Sequence, residues 1–261
     1  MSPVEAPNRG RVKPTAANTG AKGMLASMNG ATITTPGLVI KNVRISGTLK
    51  IRAPNVRVQN FVLDVPTSDY GIECEVDTAP GLILEDGEVL NPKSTCVYGR
   101  NLTARRLHLH ESFGDAMKLH GNALVEACFI EKLGRASDAH ADGNQSRMGI
   151  DLTFRGNNIN VPIDVPGHES NSALLFSAEA GVVREVLVYS NWLNGGNYTV
   201  WFDFDPNHVY GDFGKPTLCS LINNRFGRDF RYGPLVNNAV DTVISGNRWA
   251  DTGALMDINN D

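Results

Sequence analysis

The chain has 261 residues, with 24 Lys+Arg against 28 Asp+Glu for a formal net charge of −4, and 41% of its residues are hydrophobic. That is an ordinary globular composition, and it excludes collagenous and disordered classes. No run approaches the roughly 18 apolar residues of a membrane-spanning helix, and the mild acidity argues against a nucleic-acid partner, which needs a basic face.

Met1 to Gly23 is polar and rich in Pro, Gly and Asn, without the charged-then-apolar pattern of a secretory signal, and reads as an extended arm. Residues 24–261 form the folded domain. Its 26 Gly and 13 Pro, counted over the whole chain, punctuate short runs rich in Val, Ile, Leu and Phe, such as Leu38–Ile45, Val56–Leu63 and Gly81–Val89. Helical periodicity is almost absent, so the expectation is all-β.

Self-similarity refines this. Asn60, Asn157 with Asn158, Asn191, Asn224 and Asn247 each end a β-run and are followed closely by a large apolar residue; Asn158, Asn191 and Asn224 recur every 33 positions. A second series, near Ile72, Val97, Asp115, Asp142, Ser172, Thr199 and Pro234, interleaves with the first, one of each per turn. A repeat of about 20 to 35 residues with short strands and an asparagine at a fixed corner is what a parallel β-solenoid requires. Asparagine suits a corner because it tolerates the left-handed backbone region and its amide can hydrogen-bond up the stack. Trp192 and Trp249 follow corner asparagines and are expected in the core. Cys74, Cys96, Cys128 and Cys219 lack C-x-x-C spacing and are expected as buried free thiols. The glycine-rich Leu193–Tyr198 stretch lacks the Lys-Ser/Thr of a phosphate loop and reads as a turn.

Several stretches resemble right-handed parallel β-helix proteins of the pectin-lyase-like class, more narrowly a group common in actinobacteria and their phages. They are Asn18–Gly20, Thr34–Ile40, Ile51–Asn60, the His-Ala-Asp-Gly-x-Gln motif within Ala139–Gln145, Asn191–Gly196 and Ser245–Trp249. The resemblance spans nearly the whole chain and implies a single-stranded right-handed parallel β-helix with a polysaccharide-related role in a virion or outside the cell. β-Helices host lyases, hydrolases, epimerases and inert adhesins alike, so the fold alone does not choose. One departure stands out: Asn144 occupies a position that is usually apolar and inward.

Laying Asp115–His120 on Asp142–Gln145 puts Asp115 beside Asp142 and Lys118 beside Gln145 on neighbouring coils, with Lys118 and His120 toward solvent and Asp138 and His140 just upstream. Two carboxylates one strand spacing apart repel, which raises a pKa or invites a cation; Asp115, Asp138 and Asp142 are thus a candidate calcium cluster. The alternative is that Asp115 and Asp142 simply open their strands by accepting backbone N–H bonds. A zinc site drawn from His120, His140 and aspartates has no characteristic spacing, and His108 and His110 read as decoration of a side wall.

A polysaccharide lyase needs a base, for which Lys118 or His140 are candidates, and a group that neutralises a uronate, for which Arg147 or Arg155 are candidates. A hydrolase needs two carboxylates, either Asp115 with Asp142 or Asp203 with Asp205, the latter beside Trp201. His120, Gln145, Trp201, Asp203 and Asp205 complete the expected sugar-binding set. Exposed strand edges at solenoid ends predict that an end rests on another chain, in a homotrimer or among other tail proteins. Three functions follow as expectations: a phage tail or tailspike-type protein that binds and in some cases cleaves a host polysaccharide, a secreted polysaccharide lyase, or a purely structural β-helix.

Overall fold

The short apolar runs all become strands, and their order builds the architecture. The computed structural model describes residues 12–74, 77, 79–204 and 211–257. The chain first forms β1 (Ala26–Ile33), β2 (Val39–Ile51), β3 (Arg57–Asp64), β4 (Tyr70–Cys74), β5 (Leu82–Leu90) and β6 (Thr95–Gly99). It then settles into triplets. These are β7 (Leu102–Arg105), β8 (His108–His110) and β9 (Asp115–Leu119); β10 (Ala123–Glu126), β11 (Phe129–Glu131) and β12 (Ala141–Ser146); β13 (Gly149–Arg155), β14 (Asn158–Val161) and β15 (Ser170–Ser177). There follow β16 (Val183–Tyr189), β17 (Trp192–Gly195) and β18 (Tyr198–Asp203); β19 (Thr217–Ile222), β20 (Arg225–Phe226) and β21 (Gly233–Asn237); and finally β22 (Val243–Ser245) and β23 (Arg248–Trp249). Among the described residues every regular element is a strand, and no helix is long and apolar enough to cross a membrane.

The ladders between these strands are parallel throughout, and each joins a strand to its counterpart one coil away. The first wall stacks β7, β10, β13, β16, β19 and β22. The second stacks β8, β11, β14, β17, β20 and β23. The third stacks β4, β6, β9, β12, β15, β18 and β21. The long strand β5 spans the first two walls at once, pairing with both β7 and β8. This is a parallel β-helix, as the repeats predict.

Its corners have a single backbone solution. Where the first wall turns into the second, Asn42, Asn60, Asp86, Arg106, Ala127, Gly156, Ser190, Asn223 and Gly246 all have φ between 51 and 66°. One left-handed residue per coil bends the strand while keeping the ladder in step, and the fold imposes this even on Arg106 and Ala127. A second column, from Asn55 through Asn101 and Asn122 to Leu218 and Asp241, does the same where each coil enters the first wall.

The residue after the first corner carries the asparagine ladder. Asn191 Oδ1 accepts from both the N–H and the Nδ2 of Asn157 at 2.9 Å, and Asn191 donates likewise to Asn224 Oδ1 at 2.9 and 3.0 Å. Asn224 repeats the pattern on Asn247, and the second proton of each amide goes to a carbonyl of the first wall, from Val125 to Leu221. The bend and the ladder are therefore separate positions, so the expected double role of one asparagine is divided between neighbours. The ladder also runs through Asn157, 34 residues before Asn191, and not through Asn158. Above it Cys128 substitutes: its N–H donates to Asn157 Oδ1, and its sulfur accepts from the Leu107 N–H at 3.4 Å.

Phenylalanines fill the interior. Phe154 of the first wall meets Phe176 of the third edge-on at 5.6 Å, and Phe176 stacks on Phe202 one coil further at the same spacing. Gly87 lacks a side chain for a packing reason, since a Cβ there would fall inside the Phe61 ring. The four cysteines are buried free thiols, and burial pushes the Cys128 and Cys219 thiols up to about 12. Trp249 is buried as expected, but Trp192 is only half-buried. It directly follows its ladder asparagine and so pairs with Arg225 on the outward column, whereas Trp249 is one position further on and pairs with Phe226.

Residues 12–23 are laid along the second wall. Asn158 Nδ2 donates to the Pro14 carbonyl at 2.8 Å, the Gly20 N–H donates to the Arg106 carbonyl at 2.9 Å, and the Lys22 N–H donates to Asn60 Oδ1 at 2.7 Å.

Candidate functional site

Loop length decides where the surface opens. Between the second and third walls the chain needs only residues 111–114 in one coil and 196–197 in another, but it spends residues 132–140 and 162–169 in the two coils between. The excess chain stands off the solenoid and encloses a cleft of about 780 Å³, lined by Arg135, His140, His168, Asn171, Asn197 and Arg231 among others.

The loops are held by an acid at their base. Lys132 Nζ and Arg135 Nε each lie 3.6 Å from the Glu111 carboxylate, and His168 Nε2 of the other loop, buried without a hydrogen-bond partner, comes to the same distance, so both loops meet at one point. Arg135 also donates to Asn91 Oδ1 at 3.0 Å and lies over the Phe113 ring. Within the cleft Asn197 Nδ2 donates to Asn171 Oδ1 at 3.1 Å, while Asn197 Oδ1 is buried without a hydrogen-bond partner.

Asn171 connects the cleft to the third wall, because its Nδ2 donates to Asp142 Oδ1 at 3.0 Å. There Asp115 and Asp142 are neighbours on β9 and β12, in the register that places Asn144 against Met117. Asp115 Oδ1 accepts the Asp142 N–H at 2.7 Å, and Lys118 Nζ lies 3.0 Å from Asp115 Oδ2. Asp142 accepts from Ser172 Oγ at 2.6 Å and from Gln145 Nε2 at 3.3 Å. Burial, followed by the charge of Asp115, drives the Asp142 carboxyl well above the usual carboxylate range. Burial also raises Asp115, against the pull of the Lys118 ammonium. Both carboxyls are sealed from solvent, with their oxygens turned to internal donors.

The other sequence-predicted residues divide by wall. Lys118, Gln145 and Trp201 share one column of the third wall: Gln145 pairs with Leu175, Leu175 with Trp201, and Asn144 with Met117, which puts Lys118 beside Gln145. His120 sets its ring edge-on to Tyr98 at 5.1 Å. Trp201 donates Nε1 to the Tyr198 carbonyl at 3.2 Å, and Asp203 accepts from Asn238 Nδ2 at 3.1 Å. Asp205 lies outside the described residues. His140 is exposed on the cleft rim. Arg147 pairs with Glu179 at 2.6 Å.

Arg155 is not brought to this patch. It stands on the first wall, 2.7 Å from Glu126, at the end of an alternating row in which Arg105 bridges Glu126 and Glu85. Asp138 is exposed in the turn before β12 with φ 58°, and it does not join Asp115 and Asp142 in a three-ligand group. Among the described residues the acids and histidines that do gather three ligand atoms are Glu88, His108 and His110, on the second wall.

The cleft residues Arg135, His168, Asn171, Asn197 and Arg231 carry no repeat signal, because they sit where coils depart from the repeat. The only hint in the sequence is the widening of coil length after Glu131. Comparison with known proteins returned no match: no family model, no curated protein and no solved structure corresponds to this chain.

Proposed function

We propose that this β-helix binds a host-surface polysaccharide in the cleft between residues 134–140 and 163–171, as a phage tail or tailspike-type protein does. The observation that carries the reading is the cleft itself, whose lining includes Arg135, His140, His168, Asn171, Asn197 and Arg231. Such a lining offers guanidinium groups to uronate or phosphate and imidazole and amide groups to sugar hydroxyls, while the neighbouring third-wall column with Lys118, Gln145 and Trp201 extends it along the axis. The choice of polysaccharide rests on the resemblance to pectin-lyase-like proteins read from the sequence alone. The sealed Asp115 and Asp142 carboxyls count against that pair as hydrolytic acids, since a glycosidase acid must reach the scissile oxygen.

The test is titration of the chain with acidic and neutral bacterial surface glycans, following heat and, for acidic ones, the ultraviolet absorbance of an unsaturated uronate. Arg231→Ala or His140→Ala should weaken glycan binding by about tenfold, the worth of a charge-assisted hydrogen bond. Binding that survives both changes, or no binding to any glycan, overturns the reading. Growth of uronate absorbance that is lost in His140→Ala would instead establish the lyase.

A further inference from the structure

The second wall carries a site of a different kind. His108 and His110 are two apart on β8 and so face the same side, and their rings stack at 4.0 Å with 20° between planes. Glu88 of β5 is in register with His108, and Ile130 pairs with Leu109, which sets Glu131 beside His110 on the following coil. The contacts run diagonally: His110 Nε2 lies 2.9 Å from Glu88 Oε1, and His108 Nε2 lies 3.1 Å from Glu131 Oε1. Both imidazoles thus turn the same nitrogen toward carboxylates, and one ligand atom each from Glu88, His108 and His110 lies within 4.8 Å of the other two.

We propose that Glu88, His108 and His110 form a binding site for a divalent transition ion of the zinc class, with Glu131 or water as fourth ligand. Tetrahedral zinc with bonds of about 2.0–2.1 Å needs donors about 3.3 Å apart, so to close on an ion the three groups draw together and the two rings turn out of their stack. Two imidazole nitrogens select zinc, nickel or copper over calcium and magnesium, which require oxygen. The charges also balance, since two carboxylates and two neutral imidazoles offset a 2+ ion.

The surroundings suit a fixed site. Phe129 stacks on His108 at 5.1 Å, and Gly20 of the N-terminal segment passes close above His108 and Glu88. His110 and Glu88 remain partly open, with side-chain exposures of 13% and 30%, which leaves an entry path. The four cysteines offer no competing site, being sealed in the core. This inference is independent of the glycan cleft, which lies between the second and third walls.

The experiment is calorimetric titration of the untagged, chelator-treated chain with Zn²⁺ at neutral pH, with Co²⁺ as a spectroscopic stand-in. One equivalent of Zn²⁺ should bind, Ca²⁺ should give no heat, and Co²⁺ should develop the intense visible bands of tetrahedral N/O coordination. His110→Gln should weaken Zn²⁺ by more than about 100-fold, beyond the roughly 10–100-fold loss from removing a group that only supports a ligand. His140→Gln should leave it unchanged. If His110→Gln fails to fold, Glu88→Gln is read in the same way. Absence of Zn²⁺ binding, or undiminished affinity in the folded variants, overturns the proposal.

Discussion

Asp115 Oδ1 accepts the backbone N–H of Asp142 across one strand spacing, at 2.7 Å. The second carboxylate thus sits beside the first because the first has captured its backbone. Asp115 opens the strand of the next coil, and the electrostatic cost falls on Asp142, which has three neutral side-chain donors around it.

That cost predicts a pH dependence. An aspartate whose folded pKa is raised contributes stability that is present below the unfolded value of about 3.9 and is lost as pH climbs through the folded value, at about 1.4 kcal/mol per unit. Asp142→Asn keeps an acceptor for Ser172 and Asn171 but does not titrate. Its melting temperature should therefore gain on the parent as pH rises from 4 to 7. A gap that is the same at both ends would show that Asp142 is ionised at little cost in the folded protein.

The register of this pair was legible in the sequence because Asp115 and Asp142 each stand at the start of a short strand of the same wall, so that laying one strand on the other sets the two aspartates side by side. The corners were legible only in part. Asparagine signals both a left-handed bend and a ladder, and the sequence does not say that Asn223 makes the bend and Asn224 the ladder, or that of Asn157 and Asn158 only the first joins the ladder while Gly156 makes the bend. The cleft was invisible, because Arg135, Asn197 and Arg231 are united by loop excursions that have no period. Arg155 was misplaced for a related reason, since sequence proximity to Asp142 hides the turn from third wall to first.

The ladder should be the most sensitive polar feature of the core. Asn191→Ala removes the acceptor of two Asn157 protons and the donors to Asn224 and to Phe154. Orphaning buried donors costs about 1–3 kcal/mol each, so a loss of about 3 kcal/mol in denaturant unfolding is expected. Asn160→Ala, on the half-exposed face, serves as the comparison and should cost far less.

Ala127 holds φ at 54° only because the corner demands it. Ala127→Gly should stabilise the fold by about 0.5–1 kcal/mol, the relief of left-handed strain less the added freedom of the unfolded chain. The same change at Ala123, in strand β10, should destabilise it. Equal signs for the two would mean that the corner is not strained.

Asn144 is the sharpest mismatch between sequence and core. It is fully buried in a column with Met117 and Leu174, its Nδ2 donates to Ser146 Oγ at 2.9 Å, and its Oδ1 has no partner. Burying an amide half-satisfied costs about 1–3 kcal/mol, and the leucine of the next coil shows that the column accepts an aliphatic side chain. The double change Asn144→Leu with Ser146→Ala removes both polar groups together and should raise the melting temperature. The wall it belongs to also presents Gln145 and Lys118, so the proposed glycan affinity measured on the same variant should not change. A stabilised chain that loses glycan binding would mean that the amide is kept for the surface outside it, and that the third wall transmits core packing to the cleft.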